Sequence, residues 1–190
     1  MKKVAIFGII VLLLVGILAY SGYRTGDGDR ASVGEISGNA VSDVRGMKVP
    51  VDKELSMFEF EGFAVGKSHI GTFDEWDGYA IIIDNKIVGV EFTIQADSVN
   101  TGIKRLDDHL ISDDFFDTAN YPEIKFTSTE ISENEMKGQL VFIGVTKEVT
   151  FPIEFDENSL SSEFYLDVTP FNFKYTGINK EVRIALEMSK

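Results

Sequence analysis

The 190-residue chain is 44% hydrophobic and 12% aromatic, with fifteen phenylalanines against one tryptophan, which is ample material for one folded core. Its formal net charge of −13 would repel a phosphate backbone, so nucleic acid is excluded as a partner. The chain has no cysteine, which rules out disulfides, thiolate metal sites and a cysteine nucleophile.

In chain order, Lys2 and Lys3 precede VAIFGIIVLLLVGILAY, an apolar run without a charge from Val4 to Tyr20. About 17 to 20 such residues, coiled as a helix, approach the hydrocarbon thickness of a bilayer. Two lysines before the run and a net-acidic chain after it orient the N-terminus towards the cytoplasm. Residues 1–22 are therefore expected to be a transmembrane helix that anchors the chain. A cleaved signal peptide is the rival reading, because Ala19-Tyr20-Ser21 loosely fits a small-residue cleavage site. Both readings export the rest, as an anchored extracytoplasmic domain or a secreted one. Residues 23–50 are rich in glycine and small polar residues and carry no apolar period, so they are expected to form a flexible linker.

The folded domain is expected over 51–190, and its text is strand-like. Val88, Val90, Phe92 and Ile94 alternate with polar or small residues, as do Val149, Phe151, Ile153 and Phe155, and Val182, Ile184, Leu186 and Met188. Period 2 puts one set on an apolar face and the other in water. Similar runs cover 55–65, 69–83, 122–131, 136–143 and 160–168, and SENE, GVTK and DENS stand where hairpin turns are needed. The reading is all-β and antiparallel, with about eight strands closed as a barrel or stacked as a sandwich. A barrel of that size either fills with side chains or holds one small apolar ligand.

One segment breaks the period. In TGIKRLDDHLIS, Ile103, Leu106 and Leu110 recur at helical spacing, Asn100 or Thr101 can cap the start, and Ser112 or Asp113 can cap a second turn. His109 lies among Asp107, Asp108, Asp113, Asp114 and Asp117. Neighbours on a helix point in different directions, and no metal-ligand spacing occurs, so capping is preferred to a metal or catalytic site. Phe115 and Phe116 are adjacent, so one is expected to pack on the barrel and the other to reach its mouth. His69, beside glycines, is expected to stabilise a turn, with contact to a polar head group as the lesser reading.

The stretch DSVNTGIKRLDDHLISDDFFDTANYPEIKFTSTEI resembles the central signature of the YceI-like domain family. MKGQLVFIGVTKEVTFPIEF resembles that family's following hairpin, and GKSHIGTF resembles an early turn found in part of it. The likeness covers about 55–188; Ile111 stands where the family often has a basic residue, and TPFNFKYTGINKEVRI follows the usual pattern loosely. The resemblance implies a lipocalin-like antiparallel barrel of eight strands, exported, that binds a polyisoprenoid or similar amphiphile lengthwise. The candidate ligand wall is then the inward apolar set Val90, Phe92, Ile94, Ile124, Phe126, Leu140, Phe142, Phe164, Leu166, Ile184 and Leu186, with Leu110, Phe115 and Phe116 from the connection. The expected function is sequestration or carriage of an isoprenoid-like lipid, with no cofactor, metal or catalytic residue. Two alternatives stand beside it: a solid-cored interaction module, and an enzyme using His109 and its carboxylates.

Overall fold

Apolar–polar alternation in runs rich in Val, Ile, Phe and Thr produces strands at every expected place among the described residues. The computed structural model describes residues 28–37, 46–64, 66–155, 159–173 and 178–189. The expected N-terminal helix and most of the DENS turn lie outside them. Among the described residues, no helix is long and apolar enough to cross a membrane.

The strands are β1 (Ser32–Gly34), β2 (Met47–Pro50), β3 (Met57–Ala64), β4 (Lys67–Phe73), β5 (Trp76–Ile83), β6 (Lys86–Gln95) and β7 (Val99–Asn100). After helix α1 (Lys104–Leu110) come β8 (Glu123–Ile131), β9 (Glu135–Phe142), β10 (Val145–Pro152), β11 (Glu154–Phe155), β12 (Ser159–Asp167) and β13 (Ile178–Ser189). They form a seven-stranded sheet, β1-β10-β9-β8-β6-β5-β2, facing a six-stranded one, β11-β12-β13-β3-β4-β7. All strand pairs within the sheets are antiparallel.

This departs from a single closed ladder of eight strands. The run 69–83 is two strands, folded at Asp74–Glu75, and the sheets are joined where the chain changes sheet. Past Pro152, β10 passes through buried Ile153 into β11, which belongs to the opposite sheet. Past Gln95, a 3-10 turn (Ala96–Ser98) takes β6 into β7, which pairs with β4. Such corners relieve the twist that accumulates in each sheet. They also explain Phe155, which follows the alternation but is 44% exposed because β11 is a two-residue edge strand.

The linker expectation for 23–50 is corrected over the residues described. Ala31 N–H donates to Tyr165 O at 2.9 Å, and Ser32, Val33 and Gly34 then pair with Thr150, Val149 and Glu148, so this segment bridges both sheets. Met47–Pro50 pairs with β5. Ladder hydrogen bonds hold both segments despite their sparse apolar content.

Two irregularities shift the expected faces. Ile81 pairs with Gly89 while Ile82 pairs with Ile87, so Val88 is an extra residue and Ile87 takes the core-facing place. A second shift lies between Ser128 and Glu130, and there fully buried Ser128 accepts a hydrogen bond from Val90 N–H at 2.8 Å through its Oγ. Ser128→Ala leaves that amide without its partner and is expected to destabilise the domain by about 1–3 kcal/mol in urea unfolding.

The helix start also differs from expectation. Ile103 occupies the cap position of α1 and supplies no side-chain bond. Asp107 instead reaches back to accept from Thr101 N–H at 2.8 Å and from Thr101 Oγ1 at 2.6 Å.

On the outer face of the six-stranded sheet, Arg183 of β13 crosses three strands. Its Nε donates to Glu61 Oε2 at 2.9 Å and its Nη2 to Glu59 Oε1 at 3.2 Å, while Nη1 lies 3.4 Å from Glu163 Oε1. Burial works against the guanidinium's charge, but the hydrogen bond to Glu61 and the fields of the three carboxylates outweigh it and raise its pKa.

Candidate ligand cavity

Between the sheets the inward side chains do not fill the space: they surround a cavity of about 220 Å³ whose wall is almost wholly apolar. For scale, an apolar cavity of about 150 Å³ is enough to take up benzene. Phe92 and Ile94 reach it from β6, Ile124 and Phe126 from β8, and Leu140 and Phe142 from β9. Phe164 and Leu166 come from β12, and Ile184 and Leu186 from β13. The structure thus gathers every expected wall residue except Val90. That residue is fully buried against a separate small crevice with Val51, Ala80, Leu160 and Met188. It lies further along β6, where the two sheets close on each other.

Why space remains is written in three inward glycines. A Cβ at Gly71 would lie 2.4 Å from the Phe60 ring; at Gly78, 2.9 Å from the Phe92 ring; at Gly138, 2.4 Å from the Phe126 ring. Each ring occupies the volume of the missing methyl and lies back on the sheet instead of standing into the lumen. Deeper down, Phe151 stacks on Phe164 at 4.5 Å and 15° and meets Phe126 at 5.5 Å.

One end is roofed by α1 and the turns after it. Leu106 and Leu110 face the cavity, as helical spacing requires. Phe115 and Phe116 both line it and both are buried, which corrects the expected division between them. The pair sits in a turn that lies across the opening, so successive side chains are not forced to opposite faces as in a strand. Phe116 packs against Phe73 at 6.1 Å and Phe142 at 5.8 Å, and Phe115 against Phe173 at 5.6 Å.

Three of the five aspartates of this stretch take structural places, while Asp113 and Asp114 are exposed. Asp107 ties α1 to Thr101, Asp108 pairs with Lys104 at 2.7 Å, and Asp117 accepts from Asn120 Nδ2. The His109 ring meets Phe115 edge-on at 4.7 Å. Among the described residues, no group of three or more His, Asp or Glu side chains is placed to hold a metal ion.

The phenylalanines of β3 and β4 are missing from the expected wall, yet Phe58, Phe60, Phe63 and Phe73 all line the cavity. The signal was present in the alternation of MFEFEGFA, but the short outward run of glutamates gave no hint that its phenylalanines face a void. His69 is also in the wall. It stands within β4 on the inward face with Gly71 and Phe73, so the expected turn-stabilising place is corrected.

Fold and wall together define a two-sheet antiparallel β-domain with an internal apolar cavity. The chain belongs to the YceI-like domain family, whose model matches residues 40–189. It is similar to the UPF0312 protein of Staphylococcus aureus strain N315, with 37% identity over 89 residues, 45% of this chain and 52% of that protein. The chain thus spans about half the length of the curated relatives it matches. Among solved structures, Burkholderia cenocepacia BcnA superposes with a TM-score of 0.68 at 21% identity, over 74% of this chain and 99% of that one. A polyisoprenoid-binding domain from Saccharophagus degradans superposes with a TM-score of 0.57 at 15% identity, over 76% of this chain and 99% of that one. At these identities the two structures speak for the fold.

Proposed function

We propose that this protein is an extracytoplasmic lipid-binding protein that sequesters or carries an isoprenoid-like amphiphile, with the apolar tail in the cavity and the head at its roofed end. The carrying observation is the unfilled lumen with a carbon wall, where a solid-cored module would have interlocked side chains. Family membership, and a structural neighbour described as polyisoprenoid-binding, support the choice of tail. The apolar run from Val4 to Tyr20 supports an anchor that keeps the domain beside the bilayer supplying such lipids.

Each buried methylene contributes about 0.8 kcal/mol. About ten of them give roughly 8 kcal/mol gross, the scale of a micromolar complex before the cost of ordering the tail. Affinity should therefore climb with chain length until the lumen is full. Native mass spectrometry of the full-length protein purified from bacterial membranes is expected to show a co-purifying lipid, removable by organic extraction. An apo mass throughout, together with no uptake of prenyl chains by the stripped protein, would sink the reading.

A further inference from the structure

Among the described residues, the cavity wall contains two polar side chains, Thr101 and His69. Thr101 is spent: its hydroxyl donates to Asp107 and accepts from Ile103 N–H. His69 is not. It is half-buried, faces the same lumen as Phe73, and pairs across the ladder with Gly62. Beside it, a Cβ at Gly62 would meet no atom of the described residues within 4 Å. A half-buried imidazole with unused hydrogen-bonding capacity, in a wall that is nearly all carbon, is placed to meet a polar group on a bound chain.

What the wall lacks limits the partner. Among the described residues, no lysine or arginine lines the cavity, and the whole chain carries a net charge of −13. A phosphate or diphosphate brought to His69 would lose water without gaining a cationic clamp from the described wall, since Lys67, two residues before His69 on β4, is exposed and stands outside it. We infer that His69 and the gap at Gly62 form the head-group site, and that the carried amphiphile has a small uncharged hydrogen-bonding head, a hydroxyl or a carbonyl, not a phosphorylated one. This rests on the carrier reading above and narrows it.

Four probes of one tail length test it on the lipid-stripped full chain: farnesene (hydrocarbon), farnesol (hydroxyl), farnesal (carbonyl) and farnesyl diphosphate. Binding is followed by native mass spectrometry and by competition with a fluorescent apolar reporter. Farnesol or farnesal is expected to bind roughly 3- to 10-fold tighter than farnesene, the effect of one neutral hydrogen bond. The diphosphate is expected to bind at least about tenfold more weakly than the better of the two. His69→Phe should erase the preference over farnesene, read as the ratio of the two affinities within that variant, and His69→Gln should keep part of it. Gly62→Ile, which fills that gap, should also erase it.

Equal or tighter binding of the diphosphate by the unmodified protein, or an unchanged preference in both His69→Phe and Gly62→Ile, overturns the head-group assignment and leaves the carrier reading standing. Failure of the unmodified protein to take up farnesene, farnesol and farnesal alike removes the carrier reading, and this inference with it.

Discussion

Gly71→Ala is expected to cut uptake of a prenyl chain by about 5- to 100-fold, the equivalent of roughly 1–3 kcal/mol of overpacking. The added methyl would sit 2.4 Å and 2.7 Å from two carbons of the Phe60 ring and 3.1 Å from Thr101 Cγ2. All three are side-chain atoms, so the backbone can stay in place and the ring must move. On its lumen side Phe60 already meets Phe73 at 5.4 Å and Phe116 at 6.4 Å, and the free volume beyond is the cavity. The ring therefore takes space that the tail needs. Gly71→Ala combined with Phe60→Leu should restore uptake, because the smaller side chain gives that space back. Titration of the reporter dye against farnesol in the two variants decides the matter: undiminished uptake in the single variant, with Phe60 present, would show that the ring is not what holds the lumen open. Gly138→Ala makes a useful contrast. Its methyl would also lie 2.7 Å from Thr127 O, a backbone atom, so there the fold itself should yield as well as the lumen.

The second large effect concerns the outside of the same wall. Arg183→Met should destabilise the domain by about 3–5 kcal/mol, because it leaves buried Glu61 and half-buried Glu59 without their cation. The side chain of Arg183 is 6% exposed and that of Glu61 7%, so water cannot replace the lost partner easily. Replacing Glu61 by Gln together with Arg183 by Met should recover much of the loss, since the charge imbalance shrinks with the pair. Urea midpoints of the single and double variants measure both terms. A single-variant loss below about 1 kcal/mol, the level of an exposed ion pair, would mean that the cluster is effectively solvated. The position matters for binding too: Arg183 lies between Val182 and Ile184, which face the cavity, so the clamp on one face keeps the wall on the other in register.

Much of this was legible in residue order. Alternation places Phe92, Ile94, Phe126, Leu140, Phe142, Phe164, Leu166 and Ile184 on inward faces, because a strand offers only two sides and water claims the polar one. Helical spacing does the same for Leu106 and Leu110. The limits came wherever a local rule was overridden by a distant partner. Val88 and Ile87 exchange faces because of a bulge set by β5, and Phe155 loses its burial because β11 is an edge. The segments around Ser32–Gly34 and Met47–Pro50 look like tether, yet they are strands because neighbouring ladders offer hydrogen-bond partners. The hairpin of β5 and β6 turns on Asp84 and Asn85, both at positive φ, which no glycine announces.

Composition and periodicity alone were sufficient for an all-β domain with apolar inner faces, behind an apolar N-terminal run, because burial and hydrogen-bond satisfaction act residue by residue. Whether those faces meet or enclose a void is a different kind of question. It depends on where rings from one strand fall relative to glycines on the next, as with Phe60 over Gly71 and Phe126 over Gly138, and on which single polar group is left unspent beside the gap. Those are properties of register and packing between strands far apart in the chain, and only the assembled sheets contain them.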